Sequence, residues 1–345
     1  MQVDYIIVGL GLAGLAIAEE LERNDKSYII YEDYSQNSSR VAGGVYNPVI
    51  LKRFTPVWDA FDQLNIAIPF YAALEQKLNI QIDYPLDIYR IFTSIEEQNN
   101  WFNACDKPFF ESYMIPKIVK NNNQSINAPF GLGSVTNTGK IDTKALLDAY
   151  IDYLQKRDLI VNECFEYSKV IFKEDCVKYK TITAKKIVFC EGYGVVKNPF
   201  FKNIPLKEAK GELLTIHSPN LNINYIIKSS VFIMPLGNDT YKVGATFNWT
   251  DKTLNPTQEA KDELENKLKK IINVPYTVID QKAGIRPTVK DRRPIIGTHP
   301  NNPQLAILNG LGTRGVMLAP KMAKQLYNHL ESDEQLSKEV DISRF

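Results

Sequence analysis

The run Val3-Asp4-Tyr5-Ile6-Ile7-Val8 is apolar at almost every position and has the length of a buried strand. Over residues 13–23 the apolar positions recur with helical spacing, and 27–32 is a second strand-like run, so the chain predicts a βαβ unit from its start. From about 56 to 79 the pattern is again helical, with Trp58, Phe61 and Leu64 on one side and a kink predicted at Pro69. Ser94-Ile95-Glu96-Glu97 has the form of a capping box and predicts a short helix. Asp142 stands before a run that places Leu146, Leu147, Tyr150, Ile151 and Leu154 on one face, which predicts a helix with Asp142 as its cap. Strands are predicted at 159–165 and 186–190. Alternation over 211–248 then reads as an antiparallel sheet with a hairpin through Gly237-Asn238-Asp239. Asn255-Pro256 predicts the start of a charged helix reaching about 272. The last apolar strand, 305–309, leads through Gly310-Leu311-Gly312-Thr313-Arg314-Gly315 to a helix ending near 330.

Composition mainly excludes. At about 150 residues per domain, a chain of 345 residues has room for two domains. Hydrophobic residues at 44% and charged ones at 23% are near globular averages, against disorder, collagen or a coiled coil. Lys plus Arg number 41 and Asp plus Glu 40, so no bulk field recommends nucleic acid or an anionic membrane as a partner. Cys105, Cys164, Cys176 and Cys190 lack CxxC spacing and are expected as free thiols in a reducing compartment. No apolar run approaches the roughly 18 residues of a membrane span, and the first residues lack the pattern of a secretory signal. A cytoplasmic protein is expected. His217, His299 and His329 stand apart from any paired acid or cysteine, so neither a metal site nor a nucleophilic triad is predicted.

The sharpest motif is Gly9-Leu10-Gly11-Leu12-Ala13-Gly14, a GxGxxG between predicted strand and helix, with Glu32 closing the next strand. The first glycine allows a tight turn, the second lets a pyrophosphate approach the backbone, and the third brings helix and strand together. The helix start then faces the phosphates. Glu32 would accept from the adenosine ribose hydroxyls, which argues against a 2′-phosphorylated ligand. The motif alone leaves FAD and NAD open. No second GxGxxG exists, because Gly131-Leu132-Gly133 runs on into Ser134-Val135-Thr136, so a flavin reductase with two nucleotide domains is disfavoured.

Several further segments together resemble the D-amino-acid-oxidase superfamily of flavoproteins, which includes glycine and sarcosine oxidases, and the order of the segments matches along nearly the whole chain. Ser39-Arg40-Val41-Ala42-Gly43-Gly44-Val45 resembles the family's small-residue loop against the flavin, and Gly139-Lys140-Ile141-Asp142 its Gly-x-hydrophobic-Asp start of a helix. Ile187-Val188-Phe189-Cys190-Glu191-Gly192 is similar to its second strand ending beside the pyrophosphate. Ala283-Gly284-Ile285-Arg286-Pro287, followed by Asp291-Arg292-Arg293-Pro294-Ile295-Ile296-Gly297, resembles the segment whose arginine binds the substrate carboxylate. Gly310-Leu311-Gly312-Thr313-Arg314-Gly315-Val316-Met317 resembles the terminal loop and helix whose glycines pack against the isoalloxazine. Its Gly-Thr-Arg-Gly spelling is close to the oxidase half of the bifunctional bacterial enzyme acting on carboxymethylaminomethyl groups of tRNA wobble uridines.

The resemblance implies an α/β fold: a Rossmann-type FAD-binding domain (1–55, 135–205, 281–345) with a discontinuous second, α+β domain for substrate, built on an antiparallel sheet (56–134, 206–280). It implies non-covalent FAD, held by Gly9, Gly11, Leu12, Ala13, Gly14, Glu32, Asp33, Arg40, Ala42, Gly43, Gly44, Val45, Val170, Glu191, Gly192, Gly310, Gly312, Thr313, Arg314, Gly315, Val316 and Met317. Arg286 is the expected carboxylate anchor and Arg314 a second. Lys242, in Tyr241-Lys242-Val243-Gly244, resembles the lysine that activates oxygen over the flavin in sarcosine oxidase. Phe232 stands where relatives often carry a tyrosine hydroxyl, so substrate recognition is expected to differ from glycine oxidase. The implied reaction is FAD-dependent oxidation of the C–N bond of an amino acid or N-substituted glycine, by hydride transfer to flavin N5. An imine results and hydrolyses; O2 or another carrier accepts the electrons. Two alternatives remain: a tRNA wobble-uridine oxidase, for which Lys52-Arg53 and residues 290–293 offer basic surface, and a non-catalytic flavin-binding protein.

Overall fold

The structure is a computed structural model describing residues 1–345. In chain order the elements used below are β1 (Gln2–Val8), α1 (Leu12–Arg23), β2 (Tyr28–Glu32), α2 (Ala60–Leu78), β3 (Ile88–Ile91) and α3 (Ile95–Cys105). They continue with α4 (Thr143–Gln155), β4 (Ile182–Phe189), β5 (Ala209–His217), β6 (Ile226–Lys228), β7 (Phe232–Gly237) and β8 (Thr240–Gly244). Last come α5 (Gln258–Leu268), β9 (Thr277–Arg286), β10 (Asn302–Asn309) and α6 (Gly315–Ser332).

The first sheet is the nucleotide-type one. β2, β1, β4 and β10 pair in parallel in that order, and Ile160–Asn162 joins β2 on the outer side. Parallel strands covered on both faces need apolar residues at successive positions. Ile6, Ile7, Ile187, Val188 and Ile307 meet that need, all fully buried. Ile7, Val188 and Leu308 pack under α1, α4 and α6, while Ile6, Ile187 and Ile307 face the aromatic layer of Phe165 and Tyr179. Each buried side chain of this size contributes about 1.5–3 kcal/mol.

The second sheet has eight strands in the order β9-β5-β8-β7-β6-β3, then Leu132–Val135 and Met114–Val119. Its pairs are antiparallel except β6 with β3. α5 packs Leu264 and Leu268 on one face, against Leu214, Ile233 and Val243. The opposite face turns toward the first sheet. The β7–β8 hairpin has the predicted turn, with Asn238 and Asp239 both at positive φ, 49° and 55°, which matches the strand twist.

Helix caps follow the sequence. Asp142 accepts from Ala145 N–H at 3.0 Å, and Ser94 from Glu97 N–H at 3.2 Å. Three expectations change. The helix predicted from 56 begins at Ala60, because Thr55–Pro56 pairs as a short strand with Val49–Ile50; Trp58 precedes the helix and Phe61 is 60% exposed. The charged helix begins at Gln258, capped by Thr257, while Asn255 belongs to the preceding loop and gives its carbonyl to Lys210. Finally, β9 is one continuous strand across position 281 and belongs to the second sheet, so the expected division there falls inside an element. No helix is long and apolar enough to cross a membrane.

Candidate active site

Where β1 ends, Gly9 turns the chain at a φ of +95°, and an added Cβ would stand 2.7 Å from the Cys190 carbonyl oxygen beyond β4. At Gly14 a Cβ would lie 2.0 Å from Gly9 O, so the helix can approach the turn only through glycine. α1 therefore starts against a cavity of about 1220 Å³ lined by Gly9, Gly11, Leu12 and Ala13. The first amides of a helix lack intrahelical partners; one of them, Leu12 N–H, donates to Ser39 Oγ at 3.2 Å. Glu32, at the end of β2, is 8% exposed and lines the same cavity. Its carboxylate accepts N–H groups from Leu10 and, at 2.6 Å, from Tyr34, while burial raises its pKa. Across the cavity Glu191 accepts from the Tyr167 hydroxyl and from Asn198 at 2.7 Å, and burial pushes it up to about 7. A helix start, tight glycine turns and a carboxylate on the adjacent strand suit a dinucleotide.

The cavity continues to the loop 42–45. Gly44 has a φ of +69°, and a Cβ there would overlap Ile141 O at 1.9 Å. The strand Gly139–Ile141 thus supports the loop directly before Asp142 starts α4. Lys242 on β8 reaches the loop, with Nζ donating to Ala42 O at 3.2 Å; burial lowers its pKa. Phe232 on β7 stands beside the loop, its ring 3.3 Å from where a Cβ on Gly43 would be. The opposite wall is the loop before α6, tied to the end of β9 because Gly312 N–H donates to Pro287 O at 3.1 Å.

That tie brings Arg286 and Arg314 to one cavity. Arg286 ends β9 and lays its guanidinium over Gly211 of β5, where a Cβ would lie 2.0 Å from Nη2. Nη1 donates to Thr246 O at 3.2 Å, and the guanidinium stacks 4.2 Å from the Phe247 ring centroid. No acidic side chain offsets its burial, which pulls it down to about 10. Arg314 is also lowered by burial, and further by Arg292, Arg293 and Arg53. Neither guanidinium has a carboxylate partner, and each has the chemistry to receive an anion.

Most residues expected at the cofactor line this cavity. Gly14 and Gly310 stand behind its wall; Gly310 instead permits close packing on Val289. Arg40 lines the cavity but is paired with Asp148. Val170 is not among the cavity-lining residues; it lies on the edge strand Val170–Phe172, two strands out from β4. Lys242 is not among the cavity-lining residues, and holds the loop through Ala42. The sequence reading missed Ser39 as a partner of the α1 amide, and missed Gly211 and Phe247. An isolated glycine in a strand pattern is a signal of close approach, whereas Phe247 carried none.

Fold and site together define a dinucleotide-binding protein of the Rossmann type. Over residues 4–328 the chain matches the family described as DAO: FAD dependent oxidoreductase, and it belongs to that family. The glycine turn, Glu32 and the 42–45 loop fit the FAD that gives the family its description. It is 18% identical to the tRNA 5-methylaminomethyl-2-thiouridine biosynthesis bifunctional protein MnmC of Marinobacter nauticus, over 94% of this chain and 55% of that protein. It is 25% identical to the glycine oxidase of Bacillus subtilis, over 62% of this chain and 60% of that one. The chain thus spans little more than half the length of either curated relative. Glycine oxidase from Bacillus cereus shares the fold, with a TM-score of 0.80, 18% identity and 96% of both chains covered. So does iminodiacetate oxidase from Chelativorans, with a TM-score of 0.78, 15% identity and 97% and 98% covered.

Proposed function

We propose that the protein oxidises the C–N bond of an amino acid or N-substituted glycine, giving an imine that water hydrolyses, with O2 or another carrier as final acceptor. FAD, when bound, would supply the electron-accepting chemistry, taking up the hydride that leaves the substrate carbon. Arg286 carries the reading: a partly buried guanidinium, unpaired, with its plane set by Phe247 and space cleared by Gly211. Its fork matches a carboxylate, which fixes one end of the substrate. Arg314 adds a second cation from the terminal loop. Phe232 offers no hydroxyl and instead forms an apolar wall beside Gly43. Lys242 orders the loop through Ala42. The first sheet carries the cofactor and the second, with all of β9, the substrate. Relatives named glycine oxidase and iminodiacetate oxidase support an acid-bearing amine.

The test is anaerobic bleaching of the bound flavin by a panel of D-, L- and N-methyl amino acids. At least one should bleach it; bleaching by none overturns the reading. A second reading, a carboxymethylaminomethyl-uridine in tRNA as substrate, is favoured by Arg53, Arg292 and Arg293, which surround Arg314 with positive charge. In that case turnover would need the RNA and fall steeply with added salt.

A further inference from the structure

The cavity crosses one face of the second sheet and ends in cations on the side away from Arg286. Register places Leu213 of β5, Gly244 of β8, Phe232 of β7, Lys228 of β6 and Arg90 of β3 side by side. Residues in one row project from the same face, and Leu213, Phe232, Lys228 and Arg90 all line the cavity. The Arg286 guanidinium lies over β5. From there to β6 are three strand spacings, roughly 14 Å at about 4.8 Å each. Leu213 and Phe232, the side chains between, are apolar. The wall therefore runs cation, apolar stretch, cation.

The two distal cations differ. Arg90 is fixed and neutralised by Glu97, whose Oε1 accepts from Nε at 2.9 Å and Nη2 at 2.6 Å. Glu97 is held in turn by Thr93, through N–H at 2.8 Å and Oγ1 at 2.9 Å. Lys228 has no such partner. Burial, with Arg90 and Lys267 nearby, lowers its pKa to about 8, and the acid closest to Lys267, Glu263, is already paired with Lys267. A withdrawn ammonium that no carboxylate of the fold compensates is stabilised when a ligand brings the anion.

We propose that Lys228 binds a second anionic group of the substrate: the substrate is an amino acid whose N-substituent ends, beyond an apolar spacer, in a carboxylate or phosphate. This rests on the reading of Arg286 as the carboxylate site.

The probes are N-carboxymethyl amines of increasing chain length, ending in carboxylate, phosphate or methyl, and thioether analogues with sulfur in place of the amine nitrogen. The thioethers cannot be oxidised at nitrogen, so their dissociation constants are read from the flavin absorption change without turnover. At the best length an anionic end should tighten binding about ten- to a hundredfold over methyl. Lys228→Gln should abolish that preference, and Lys228→Arg should retain it. Affinity for the methyl-terminated analogue and for FAD should be unchanged in both variants. Preference for phosphate over carboxylate would identify the terminal group as a phosphate; the reverse, as a carboxylate. Equal binding of anionic and methyl ends by the wild type overturns the proposal. So does a Lys228→Gln variant that loses FAD or binds all analogues worse. If thioethers show the preference but no amine bleaches the flavin, the subsite stands and the proposed oxidation fails; bleaching without the preference has the opposite meaning.

Discussion

Replacing Glu32 by glutamine keeps the side chain's shape and removes its charge, at a place where both oxygens already work. One accepts from Leu10 in the glycine turn and the other from Tyr34. An amide has a single acceptor oxygen, so its NH2 would confront one of these N–H groups. A hydrogen bond to a charged group contributes about 1.5–3 kcal/mol. In the apoprotein that loss is opposed, because burial of the carboxylate at 8% exposure already works against its ionisation and raises its pKa. The two effects oppose each other, so the melting temperature of the apoprotein should fall by less than the lost hydrogen bond alone would imply. With FAD bound, the ribose hydroxyls add a donor that only the carboxylate receives well, and nothing offsets its loss. Affinity for FAD should therefore fall by about one to two decades. The assay is titration of apoprotein with FAD, followed by quenching of flavin fluorescence, with apoprotein melting in parallel. An unchanged dissociation constant would place Glu32 outside the nucleotide site. A shifted absorption maximum of the bound flavin would show that the damage reaches the ring, contrary to the argument.

Glu191 gives a pH dependence. Its folded pKa is raised from 4.5 to about 7 by burial, so its contribution to stability is fully present below about 4.5 and is lost as pH rises through 7, at about 1.4 kcal/mol per unit. The apoprotein should melt lower at about pH 8 than at about pH 6, and Glu191→Gln should flatten the difference; an equally steep profile in the variant would assign the dependence elsewhere. FAD should leave the protein entirely on acid precipitation. Cys164 and Cys190 line the cavity only at its dinucleotide end, beside Asp33 and Gly9, and colour remaining in the precipitate would show a covalent link.

Local pattern was enough for the βαβ unit, the Asp142 and Ser94 caps and the β7–β8 turn, because each is decided by residues a few positions apart. It was also enough for the glycine turn with Glu32, whose spacing is set by one helix and one strand. What it missed depends on distant pairing. Lys228 meets Arg90 only because β6 pairs in parallel with β3, and Arg286 reaches over Gly211 only because β9 pairs with β5. β9 itself, Thr277-Val278-Ile279-Asp280-Gln281-Lys282-Ala283-Gly284-Ile285-Arg286, mixes polar and apolar residues at an edge of the sheet, where burial on one face is incomplete.

The central claim is that Arg286 binds a substrate carboxylate beside the flavin. The direct measurement is the rate of anaerobic flavin reduction by the active amino acid and by its decarboxylated amine, in wild type, Arg286→Ala and Arg286→Lys. Wild type should strongly prefer the acid. Arg286→Ala should lose several kcal/mol of that preference, and Arg286→Lys should recover part of it, since an ammonium cannot reproduce the planar fork. FAD should stay bound with a near-normal spectrum throughout. Equal reduction rates in wild type and Arg286→Ala, or an amine that serves as well as the acid, would contradict the account.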